Sequence, residues 1–152
     1  MQEGQSRKIV TDADRQQRRE SRRNNTMVFF LKDLAQYSSL PQEELGKAAA
    51  SVLCALEQRL SSDEVKDLES QLPANLRDLL VRCERHEGNP SREFALGDLY
   101  DMVCEDLGMR QEDVPPVVRA VFRALKDQIS EGESEDVAAQ LPADIKEVWW
   151  NA

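Results

Sequence analysis

A single histidine, three cysteines, six glycines and two threonines are all that 152 residues carry of those types, and aromatic side chains make up only 5 %. Each scarcity excludes something. Histidine is the commonest acid–base group near neutral pH, and the one present, His86, lies in a polar stretch with no Ser-His-Asp or Cys-His partners to pair with. Cys54, Cys83 and Cys104 are odd in number and irregular in spacing, which argues against a secreted disulfide scaffold and for a reducing cytoplasm. The glycines stand singly, so no phosphate-cradling loop is present. Threonine is confined to Thr11 and Thr26 while Leu, Ala, Glu, Gln and Arg are plentiful, which favours helix over sheet. No apolar run approaches the roughly 20 residues that cross a bilayer. Ser21-Arg22-Arg23 ahead of Met27–Leu31 has the look of a twin-arginine export signal, but Lys32 and Asp33 end the apolar run too early for a signal core.

What the chain does have is charge, unevenly placed. Residues 1–26 hold seven basic and four acidic groups, a net of +3, which leaves −12 of the total −9 on residues 27–152. A body that acidic repels phosphate backbones and anionic lipid, so only the amino-terminal arm is suited to a polyanion. The arm has few large apolar groups beyond Ile9 and Val10 and is expected to be disordered or partly helical.

An internal repeat follows. Shifting the sequence by 69 positions aligns residues 28–81 with 97–150 without a gap, and 12 of the 54 pairs are identical; chance gives about three. Among the identities are Ser61/Ser130, Glu64/Glu133, Asp67/Asp136 and the runs Gln71–Ala74 and Gln140–Ala143. Each unit reads as four helices. The first, near 27–38, carries Phe30, Leu31, Leu34 and Tyr37 on one face, and its counterpart near 93–107 carries Leu99, Tyr100 and Val103. In the second, Leu45, Ala49, Val52, Leu53, Leu56 and Leu60 form the stripe of a helix with one buried face, and Val114, Val118, Val121, Phe122, Leu125 and Ile129 fall at the same offsets. Ser61-x-x-Glu64 and Ser130-x-x-Glu133 predict capping boxes at the start of the third helix. Gln-Leu-Pro ends that helix, and the proline opens the fourth.

The whole predicts an all-α protein of two tandem pseudo-repeated four-helix units packed together. Its divisions are a basic arm (1–26), a first unit (27–81), a linker (82–92) and a second unit (93–150). This pattern, with its doubled Gln-Leu-Pro-Ala, resembles domain of unknown function 2267, a bacterial and archaeal family, over about residues 27 to 150. The resemblance implies an all-helical tandem fold and a mostly prokaryotic, cytoplasmic origin; it brings no established activity or catalytic residues.

Candidate chemistry is correspondingly thin. Cys83 and His86 have a spacing two metal ligands use, but no second pair completes a tetrahedral site. Asp63, Glu64, Asp67 and Glu69 read as a solvated helical face, since a helix-bundle dimetal site needs Glu-x-x-His pairs that the chain lacks. Asp67/Gln71 and Asp136/Gln140 are four apart and predict a carboxylate–amide bond across one turn, with Asp67 and Asp136 as candidate docking points. Arg18, Arg19, Arg22 and Arg23, with Arg15, form a basic cluster if helical. Trp149 belongs to the core, whereas Trp150 is a candidate exposed anchor. No catalytic residue, metal or cofactor is assigned. The expected role is a non-enzymatic interaction or adaptor module acting on another protein, as monomer or homodimer in the cytoplasm. The alternative is a nucleic-acid or polyanion accessory protein binding through the arm, and no membrane partner is expected.

Overall fold

The computed structural model describes residues 11–80 and 94–152, without the side chains of residue 16 and residues 18–25. Cys83, His86 and the linker expected at 82–92 lie outside the described residues. Within them every regular element is helical: α1 (Asp12–Tyr37), α2 (Gln42–Glu57), α3 (Ser62–Ser70), α4 (Ala74–Leu80), α5 (Leu96–Leu107), α6 (Val114–Gln128), α7 (Glu131–Ala139) and α8 (Ala143–Asn151), with one 3-10 turn at Gln111–Asp113.

The first helix starts well before residue 27. Thr11 caps it, its hydroxyl accepting the Asp14 N–H at 3.1 Å while Asp14 Oδ2 accepts the Thr11 N–H at 3.3 Å. The described part of the basic arm is therefore one helix with the core segment. Two orphan donors satisfied at the start set its boundary, despite the apolar-poor composition of the first turns. Pro115 and Pro116 lie in the first turn of α6, where a missing N–H costs little. Gly108 ends α5 in the left-handed region, φ 61°, which a side chain would resist.

Both predicted stripes are buried: Leu45, Ala49, Val52, Leu53, Leu56 and Leu60 on and just after α2, and Val114, Val118, Val121, Phe122, Leu125 and Ile129 on and after α6. They join one continuous core rather than two. The closest packing explains why. α2 lies chiefly against α5 and α1 against α6, so the long helices exchange across the molecule, and α3 meets α7. Trp149 is fully buried, edge-on to Phe122 at 5.2 Å between ring centroids, with its indole N–H donating to Ser134 at 3.2 Å. Cys54 is buried in α2 and disulfide-bonded, while Cys104 is free. An odd count leaves one thiol over after a bridge forms, so it does not argue against a single bridge.

Candidate functional site

The polar residues that the fold concentrates lie where α3 meets α7. Ser61 and Ser130 cap these helices, their hydroxyls accepting the N–H of Glu64 at 3.2 Å and of Glu133 at 3.1 Å. That is half of each predicted capping box. The other half is replaced: the Ser61 N–H donates to Gln140 Oε1, and the Ser130 N–H to Gln71 Oε1, both at 2.7 Å. Gln140 Nε2 also donates to Ser61 Oγ at 3.2 Å. Gln71 and Gln140 are the C-caps of α3 and α7, so each helix end caps the start of the other and the two run antiparallel. The amides cross between helices instead of bonding Asp67 and Asp136 within their own turns.

Relieved of the cap, the two glutamates turn to each other. Glu64 and Glu133 are 8 % and 6 % exposed, and with Asp136 they bring three carboxylate oxygens within 4.8 Å of one another. No N–H or hydroxyl among the described residues reaches Glu64 Oε1 or Glu133 Oε2, which are also shut off from solvent, and the two carboxyls face each other. Burial, then the facing Glu64 carboxyl, then the charges of Asp136 and Asp67, push Glu133 up to about 8. The solvated acidic face expected from the sequence holds for Asp63 and Asp67, which are exposed, but not for Glu64.

Two further carboxyl pairs occupy helix junctions. Glu57, 3 % exposed at the end of α2, is pushed up to about 10, chiefly by burial and then by its contact with Glu69. Between α1 and α6, Tyr37 Oη stands 2.9 Å from Asp127 Oδ2 and 3.3 Å from Asp33 Oδ1, with the Arg123 guanidinium 4.9 Å above the Tyr37 ring. Burial and the neighbouring Asp127 raise Asp33 to about 6.

The surface candidates fall elsewhere. Trp150 is 47 % exposed at the end of α8, with Lys126 Nζ 6.0 Å from its ring. Val28 and Phe29, neighbours on α1, are 47 % and 66 % exposed. Asp67 and Asp136 are exposed on α3 and α7, and only Asp136 joins the carboxylate group. Positions 18, 19, 22 and 23 belong to α1, and their side chains lie outside the described residues. A shallow groove of about 250 Å³ is lined by Tyr37, Pro116, Arg119, Ala120, Arg123 and the last two residues. The sequence reading missed the Glu64–Glu133 meeting and the crossed glutamines. The available signal was their recurrence at matched positions of the repeat.

Helices alone, among the described residues, enclose one apolar core and carry a polar junction of caps and carboxylates, which places the chain in the all-helical class. The family model described as "Uncharacterized conserved protein (DUF2267)" matches residues 29–148, and the chain belongs to that family. A search of the curated proteins returns no match. No helix among the described residues is long and apolar enough to cross a membrane.

Proposed function

We propose that the chain is one four-helix unit written twice and that it serves as a non-enzymatic protein-interaction module. The tandem reading is supported by the ungapped repeat, by the exchanged packing of α1 on α6 and α5 on α2, and by the crossed glutamine caps. The observation that carries the interaction reading is Phe29, 66 % exposed beside the half-exposed Val28 on a helix that buries Phe30 and Leu34 in the core. Scattered apolar side chains are ordinary on surfaces, but an adjacent pair of large ones left in water is a contact area folding does not use. Trp150 is a second anchor of the kind that dominates interfaces.

A Phe29→Ser variant, bearing its change on a surface position, should keep the wild-type melting temperature and lose a protein partner that wild type retains from its native host. Equal retention by both would contradict the reading. The cytoplasm is the proposed site of action, and membership of the family supports it.

The polyanion reading keeps one favourable observation. With residues 12–26 helical, positions 15, 18, 19, 22 and 23 recur at i, i+3, i+4, i+7 and i+8, the spacing of one helix face. Replacing those five arginines by glutamine should abolish any salt-sensitive nucleic-acid binding under this reading and leave protein binding intact under the first.

A further inference from the structure

We propose that Glu64, Glu133 and Asp136 hold a hard divalent cation of calcium's size at the α3–α7 junction. An N3 glutamate ordinarily turns back to the N-cap N–H. Here Gln71 and Gln140 take both of those donors, and the released carboxylates meet out of solvent. Glu64 Oε1 and Glu133 Oε2 are each buried without an N–H or hydroxyl donor among the described residues, and both belong to side chains more than nine-tenths buried. Two buried carboxyls facing one another must share a proton or hold a cation, and a cation placed among them takes that proton's place.

The donor set selects the ion. Three carboxylates with no nitrogen or sulfur suit a hard cation rather than zinc or copper. Two ligands of one ion lie at most twice a bond length apart, which is about 4.2 Å for magnesium and about 5 Å for calcium. The three oxygens, all within 4.8 Å of one another, lie inside calcium's span, so a small side-chain movement brings them onto one ion. Asp136 is exposed, which leaves a side open for entry and for water to fill the remaining coordination positions. This site is separate from Phe29 and Trp150 and does not depend on the interaction reading.

The test uses the full chain freed of metal with a chelator and titrated with calcium chloride, read by calorimetry and by melting temperature, against potassium chloride at equal ionic strength. The expected result is one saturable site and a melting temperature that rises with calcium but not with potassium. Even outer partners of metal ligands are worth about tenfold in affinity, so Asp136→Asn, at an exposed position that folding does not need, should weaken binding by at least that. Glu133→Gln should abolish it. No saturable heat up to about 10 mM calcium, beyond the weakest sites proteins use, overturns the proposal. So does an equal thermal response to potassium, or unchanged affinity in Asp136→Asn.

Discussion

Gln71 and Ser130 are 59 residues apart in the chain, yet the Ser130 N–H donates to Gln71 Oε1 at 2.7 Å, and Gln140 repeats the bond to Ser61 at the same distance. Short helices such as α3 and α7 are marginal alone, so their ends must be satisfied by something, and here each is satisfied by the other. Gln71→Ala leaves the N-cap N–H of α7, that of Ser130, to water. It should cost about 1 kcal/mol, the usual worth of one such bond, and lower the melting temperature by roughly 2–4 °C. Urea denaturation of Gln71→Ala, Gln140→Ala and the double variant checks it. Losses below about 0.3 kcal/mol in both single variants would show the caps to be incidental.

Leu56 and Leu125 are fully buried on α2 and α6, at the centre of the single core. Leu56→Asp or Leu125→Asp places an unpaired carboxylate there and should cost more than about 5 kcal/mol, as much as the whole stability of a protein at the lower end of the ordinary range. Circular dichroism on heating would show no cooperative transition. A variant melting like wild type would remove that position from the core.

Stability should rise on acidification because three carboxyls, Asp33, Glu57 and Glu133, are held above their ordinary range. Asp33 is raised to about 6 by burial and Asp127, so the folded protein keeps a proton that the unfolded chain releases from about 3.8 upward. Its stabilisation is complete below that lower value and is lost as pH climbs through about 6. Glu57, raised to about 10, extends the same trend from about 4.5 to 10. The melting temperature should therefore be several degrees higher at pH 5 than at pH 8. Asp33→Asn should flatten the lower part of that slope and Glu57→Gln the upper. A wild-type melting temperature that climbs from pH 5 to 8 would contradict these assignments.

Trp149 and Trp150 are neighbours with opposite environments. Trp149→Ala empties a site packed against Phe122 and removes the bond to Ser134, and should cost about 3–5 kcal/mol. Trp150→Ala should change stability by less than about 0.5 kcal/mol, as surface substitutions do. Their fluorescence should separate too: the emission left in Trp150→Phe should be blue-shifted and resistant to iodide, that left in Trp149→Phe quenched. The reverse pattern would exchange the two side chains.

Much of this architecture is legible in the residues. The stripes from Leu45 to Leu60 and from Val114 to Ile129 recur with the helical period and are buried, because period is a local property. Ser61 and Ser130 were readable as caps for the same reason. The start of α1 was also written locally, in Thr11-x-x-Asp14, but the scarcity of apolar residues nearby masked it. Glu64 and Glu133 were not readable as a buried pair. The capping-box pattern gave each a partner three residues away, whereas the bond that displaced it, Gln140 to Ser61, spans 79 residues. Packing decides between the two, and only the matched positions of the repeat hinted that these residues would meet.

The crossed caps are tested most directly by amide hydrogen exchange at Ser61 and Ser130. An N-cap N–H is ordinarily open to water; here both should be protected in the wild-type protein. Gln140→Ala should strip protection from Ser61 alone, and Gln71→Ala from Ser130 alone. Fast exchange at both amides in wild type, or loss at the serine of the substituted helix's own end, would contradict the account.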